Sequence, residues 1–263
     1  MDKPVIVFEK VAKNYGETEV LSDFSLEVNR GEIITMVGRS GCGKTTALKL
    51  VNGLIKPDSG DVYVEGRRVA DCDNTELRRN IGYVIQGVGL FPHMTVEKNI
   101  AYVPSLTHKK GFALANPRAE RGRSQFSLKG LFSPPKIETA QLLSIVGLEP
   151  DLAGRYPSEL SGGQRQRVGI ARAIAAQPDI LLMDEPFGAV DEITRRALQD
   201  ELLRLHSELG FTILFVTHDI SEALKLGTRI MVMESGRVIQ VGTADEIINN
   251  PANDFVRELV GGN

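Results

Sequence analysis

The run Gly38-Arg39-Ser40-Gly41-Cys42-Gly43-Lys44-Thr45-Thr46 follows an apolar strand pattern (Ile33, Ile34, Met36, Val37) and precedes a helical one (Ala47, Leu48, Leu50, Val51). A G-x-x-x-x-G-K-[ST] turn between a buried strand and a helix constrains the fold strongly. Its glycines let successive backbone N–H groups curl around an anion, Lys44 is placed to reach terminal phosphates, and Thr45 offers a hydroxyl to Mg²⁺. The helix that starts there points its positive end at the same anion. The turn is therefore expected to cradle a nucleotide.

Four segments read as strands buried on both faces of a parallel sheet: Ile33 to Val37, Ile81 to Ile85, Ile180 to Met183 and Thr212 to Thr217. Each is almost continuously apolar or β-branched. Each also leads to groups capable of chemistry: the phosphate loop, Gln86, Asp184 with Glu185, and His218. Open α/β sheets collect ligands at the carboxyl ends of their strands, so the four ends point to one shared site. Residues 5 to 35 alternate as strands around turns at Asn14 to Gly16 and Asn29 to Gly31, and Gly60 to Val69 reads as a further strand.

Composition narrows the class. At 263 residues, 42% hydrophobic and 25% charged, the chain can bury a full core as one large α/β domain or a domain with a subdomain. A net charge of -3 supplies no electrostatic reason to expect a nucleic-acid partner. Cys42 and Cys72 are too few for a disulfide framework and fit a reducing cytoplasm. The N-terminus lacks the apolar core of a signal peptide, and no apolar run approaches bilayer-spanning length.

Ile180-Leu181-Leu182-Met183-Asp184-Glu185 is read as a buried strand ending in two carboxylates. Asp184 would hold Mg²⁺ opposite Thr45, and Glu185, facing the other way on extended backbone, would accept a proton from an attacking water or orient it. Leu160-Ser161-Gly162-Gly163-Gln164, before the helical pattern through Val168, Ala171, Ile174 and Ala175, is a second phosphate-binding helix start. One nucleotide needs one cradle. A second therefore suggests that each nucleotide is held between two copies of the chain.

With these motifs in this order, the chain resembles an ATP-binding cassette (ABC) transporter ATPase over nearly its full length. The resemblance implies an α/β fold: a P-loop NTPase core with a mainly parallel central sheet, an N-terminal antiparallel β-subdomain and an inserted helical subdomain. The core and β-subdomain would take residues 1–90 and 176–263, and the helical subdomain 91–175. It implies a head-to-tail dimer in which Gly38 to Thr46 of one copy and Ser161, Gly162, Gly163 and Gln164 of the other enclose ATP and Mg²⁺.

The same resemblance assigns Tyr15 to stacking on adenine, Gln86 to linking Mg²⁺ and water with a membrane partner, Asp191 to a dimer contact and His218 to the γ-phosphate. On the residues alone each has a plainer reading: Tyr15 a strand-end aromatic, Gln86 a turn residue and His218 a capping histidine before Asp219. Asp191 could likewise cap a helix starting near Thr194. His93, His108 and His206 read as surface residues. A thiol inside the phosphate loop, Cys42, is expected to make nucleotide binding sensitive to alkylation, although a small residue of any kind fits there.

Six phrases resemble one subgroup, the ATPases of bacterial importers for glycine betaine, choline and carnitine: Gly82 to Gln86, Gly89 to Met94, Val103-Pro104, Tyr156 to Gly163, Met183 to Val190 and Asn250 to Val256. The resemblance implies membrane permease subunits, a substrate-binding protein reached through the complex, and a place on the cytoplasmic face of the bacterial inner membrane. Import of another small solute (an amino acid, a metal or an anion) is the alternative, and a non-transport cassette ATPase a more distant one. Gly87 replaces an expected glutamine. Many relatives continue into paired CBS domains, whereas this sequence ends at Asn263, so regulation of that sort is not expected from it. The stretch 104–136 carries seven basic residues against the single acid Glu120 and reads as a surface insertion or a basic contact.

Overall fold

The computed structural model describes residues 3–108 and 139–261. The strands are β1 (Ile6–Tyr15), β2 (Thr18–Val28), β3 (Ile33–Gly38), β4 (Ser59–Val64), β5 (Arg67–Arg68), β6 (Ile81–Val84), β7 (Ile180–Asp184), β8 (Thr212–Val216), β9 (Arg229–Glu234) and β10 (Arg237–Gly242). The helices are α1 (Lys44–Val51), α2 (Asn74–Arg79), α3 (Val96–His108), α4 (Thr139–Ile145), α5 (Gly162–Ile174), α6 (Glu192–Leu209), α7 (Ile220–Leu226), α8 (Ala244–Asn249) and α9 (Asp254–Gly261).

Every residue of β3, β7 and β8 is buried, in keeping with their almost continuous apolar or β-branched sequences. These strands form the middle of a six-stranded sheet in the order β10-β9-β3-β8-β7-β6. All neighbours in it are parallel except β10, which runs antiparallel to β9. A separate four-stranded sheet, β2-β1-β4-β5, is antiparallel throughout.

Successive strand residues face opposite sides, and this alternation divides the core. On β7 and β8, Leu181, Met183, Ile213 and Phe215 pack with the helices α3 to α6. Their neighbours Ile180, Leu182, Leu214 and Val216 pack instead with α1 and the antiparallel sheet, including Phe8, Phe24 and Leu48. A third cluster joins Ile230 and Val232 of β9 to Ile220, Ala223, Ile247 and Val256 of α7, α8 and α9. The layered α/β fold implied by the resemblance is the fold observed.

Two features depart from the sequence reading. The β9–β10 hairpin was not anticipated. Its signal was present in the apolar run Ile230 to Met233 followed by Ser235-Gly236, which turn with φ of 47° and 79°, the conformation of a tight hairpin. The basic stretch was expected to begin at Pro104, but α3 continues through that proline to His108. The rest of the stretch, 109–136, lies outside the described residues.

The loop Gly89 to Met94 is fixed by one buried amide. Asn99 on α3 accepts from the Phe91 amide at 2.8 Å and donates to the carbonyls of Phe91, Met94 and Thr95 at 3.0 to 3.1 Å. No helix among the described residues is long and apolar enough to cross a membrane.

Candidate functional site

The phosphate loop leaves β3 at Gly38, where a Cβ would stand 2.2 Å from the Met233 carbonyl of the adjacent strand. It enters α1 at Gly43, with φ of 101° and the Val20 carbonyl 2.6 Å from where a Cβ would sit. Only glycine tolerates either position. Among the described residues no side chain caps α1, so its first N–H groups are open to a ligand. Lys44 folds back, donating to the carbonyls of Gly38 at 2.6 Å and Arg39 at 3.1 Å. Its ammonium thereby spans the loop it belongs to. Cys42 is packed beneath the loop at 5% exposure, with its Sγ 3.7 Å from the Lys44 ammonium, which does not favour direct attack on the thiol by an alkylating reagent.

Thr45 and Asp184 meet, the threonine hydroxyl donating to the carboxylate at 2.9 Å. Asp184 is fully buried at the end of β7. Burial pushes its carboxyl up, and the neighbouring Glu185 charge adds to this against the Thr45 hydrogen bond, Lys49 and Lys44. Around Glu185 the other strand ends converge. Gln86, beyond β6, donates to one carboxylate oxygen at 3.3 Å, and His218 Nδ1, beyond β8, lies 3.5 Å from the other.

Glu185 is not on extended backbone, as its sequence position suggested. Its φ is +47°, a left-handed conformation costly for a side chain with a Cβ. The strand ends at Asp184, and the turn is held by the Glu185 amide donating to the Val216 carbonyl at 3.0 Å. The Glu185 carbonyl accepts from the Gln166 side chain at 3.1 Å. The left-handed turn, rather than strand alternation, separates the two carboxylates.

Ser161 caps α5, accepting from the Gln164 amide at 3.2 Å, while Gln164 accepts from the Ser161 amide at 2.8 Å. Among the described residues no hydrogen bond joins Ser161–Gln164 to the phosphate loop of the same chain. Asp191 caps α6 by accepting from Thr194 at 3.0 Å, the role its position also allowed. Tyr15 ends β1 with half its surface exposed and Lys13 Nζ 5.8 Å from its ring centre. His218 does not cap α7, a role taken by Asp219. His93 is exposed. His206 is half-buried, with Nε2 2.9 Å from the Gly31 carbonyl, so it is not the surface residue expected. The side chain of His108 lies outside the description.

Three residues of this region carried no recognised sequence signal: Gln166, Arg195 and Glu222. Each acts through a partner 19 or more residues away in sequence (Gln166 with Glu185) or across two helices (Arg195 with Glu222, at 3.7 Å).

A family model described as ABC transporter matches residues 21–188. The chain belongs to the ABC transporter family. It is 46% identical over 98% of its length to the glycine betaine/carnitine/choline transport ATP-binding protein OpuCA of Bacillus subtilis, and spans 62% of that protein. It is 44% identical over 98% of its length to the glycine betaine uptake system ATP-binding protein YehX of Escherichia coli, covering 77% of it. The dimeric structure of a post-hydrolysis ATP-binding cassette bound to ADP and Pi superposes with a TM-score of 0.76, at 32% identity, over 91% of this cassette and 98% of that chain.

The residues of the cassette fit a magnesium nucleotide. Among the described residues no group of three or more His, Cys, Asp or Glu could hold a metal by itself. The Thr45 hydroxyl and the buried Asp184 carboxylate instead supply two hard oxygen donors beside an open anion cradle, suiting an ion that takes its other ligands from phosphate and water.

Proposed function

We propose that this chain is the ATP-binding and ATP-hydrolysing subunit of a bacterial ABC importer that energises uptake of a quaternary-amine osmoprotectant such as glycine betaine, choline or carnitine. One observation carries the hydrolytic part: Gln86 and His218, from two strand ends, each reach within 3.5 Å of the Glu185 carboxylate at a third, beside the Thr45–Asp184 pair. The cargo class rests on the transport roles for which the relatives are named and on the phrases shared with that subgroup.

In the mechanism, the loop amides of Gly41 to Thr46 and the N-terminus of α1 bind the β- and γ-phosphates, and Lys44 leaves its loop carbonyls to reach the terminal oxygens. Thr45 and Asp184, with Gln86, would hold Mg²⁺, which would neutralise the charge that develops on the phosphates. Glu185 orients the attacking water and accepts its proton, held between Gln86 and His218 so that its oxygens keep a fixed direction. His218 would donate to the γ-phosphate. Tyr15 stacks on adenine. Ser161 to Gln164 and Asp191 of a second copy close the other side, so that ATP draws two copies together. The described parts of the helical subdomain, 91–108 and 139–175, would face the permease, at the cytoplasmic side of the membrane.

The test is reconstitution with the permease and substrate-binding protein of its own transporter. ATP hydrolysis is expected to rise with a quaternary amine and to stay basal with an amino acid or sulfate. Stimulation by one of the latter alone would reject the cargo, and a complex without ATPase activity would reject the enzyme.

A further inference from the structure

Behind His218, between α6 and the start of α7, lies a buried polar cluster that the proposed chemistry does not use. Glu222 is 7% exposed. One of its oxygens accepts from the Thr217 hydroxyl at 2.7 Å, and the other from the Gln199 side-chain Nε2 at 3.4 Å. The Thr217 oxygen in turn accepts from the Asp219 amide at 3.0 Å. Thr217 and Asp219 flank His218, so one hydroxyl, oriented by Glu222, clasps the turn that carries the histidine.

The cluster reaches further through Arg195. Its Nη2 donates to the Val190 carbonyl at 3.2 Å, and its amide donates to the Asp191 carbonyl at 2.8 Å. Its Nη1 stands 3.9 Å from Asp219, and its Nε stands 3.7 Å from Glu222, buried without a hydrogen-bond partner among the described residues. A buried donor just beyond reach of a buried acceptor is costly as it stands and is relieved by a small approach of α6 to α7. Packing alone would be served as well by apolar residues at these positions.

We infer that Glu222 is a positioning residue that sets the direction of His218 through the Thr217 hydroxyl and ties it, through Arg195, to the turn at Val190–Asp191. The inference rests on the proposed hydrolytic role of His218. The Val190–Asp191 turn is the segment proposed to meet the second copy. Its engagement would draw Arg195 onto Glu222 and hold His218 against Glu185 and the γ-phosphate.

The experiment uses the full purified chain with MgATP. Thr217→Val, which keeps shape and removes the hydroxyl, is expected to lower kcat about 10- to 100-fold. KM for ATP and the binding of a fluorescent ATP analogue stay within about twofold. Thr217→Ser restores the rate. In a His218→Ala background the same Thr217→Val change lowers kcat by less than about twofold, because the histidine it positions is gone. An additive loss in that background, a loss of binding in parallel with kcat, or full activity of Thr217→Val overturns the inference. If Thr217→Val does not fold, as judged by its melting curve, Glu222→Gln, which keeps an acceptor but removes the charge facing Arg195, carries the same comparison. An inactive wild-type chain would instead overturn the proposed function itself.

Discussion

Glu185 occupies a backbone conformation that disfavours any residue with a Cβ, at φ of +47°. Strain of this kind costs on the order of 1–3 kcal/mol and persists where surrounding contacts over-determine it, here the bonds from Gln166 and to Val216. It lifts the carboxylate out of the strand and between Gln86 and His218. Glu185→Gln is therefore expected to retain ATP binding and to lower hydrolysis about 10²- to 10⁴-fold, measured by phosphate release beside analogue fluorescence. Near-normal turnover would reject Glu185 as the base. Lys44→Ala should abolish nucleotide binding itself. Cys42 and Cys72 differ in burial, so an alkylating reagent should label Cys72 first, with ATP slowing Cys42 further. Faster labelling of Cys42 would contradict its place beneath the loop.

At the level of the element, α3 depends on Asn99 to hold the Gly89–Met94 loop. The side chain makes four hydrogen bonds from a fully buried position, and removing it takes away the bonds to the Phe91 amide and the Met94 carbonyl, while the Phe91 and Thr95 carbonyls keep the backbone amides of Met94 and residue 99. Asn99→Ala should destabilise the protein by about 2–4 kcal/mol, read as a drop in Tm of about 5–10 °C. Helix α6 ends with His206 against Gly31 and the Phe211 ring. Burial holds this imidazole below its ordinary value of 6.5, opposed by the hydrogen bond to Gly31. The unfolded chain therefore binds the proton more readily than the folded one. Its contribution to stability is full above pH 6.5 and is lost as the pH falls through the lowered folded value. Thermal melts between pH 8 and 5 should show a decline that His206→Asn reduces; an equally steep decline in the variant would place the acid sensitivity elsewhere.

Across the whole molecule, the parallel sheet gathers four strand ends on one rim, while Ser161–Gln164 caps a helix with no bond to the phosphate loop of its own chain. A site completed by a second copy predicts that Glu185→Gln with MgATP doubles its mass on gel filtration, and that adding Gly162→Trp abolishes the doubling while leaving ATP binding. A monomer under saturating ATP would argue against the shared site. The sequence by itself determined the phosphate loop, the buried strands β3, β6, β7 and β8, and the α5 cap. Their signals lie in contiguous runs, where glycine spacing, apolar continuity and a capping pair act locally. Only the tertiary structure decided the left-handed turn at Glu185, the Gln166 bond to it, the Asn99 hub and the Arg195–Glu222 cluster. Those depend on which distant segments the sheet and helices bring within hydrogen-bonding distance, and no local pattern encodes a partner such as Gln86 for Glu185, 99 residues away.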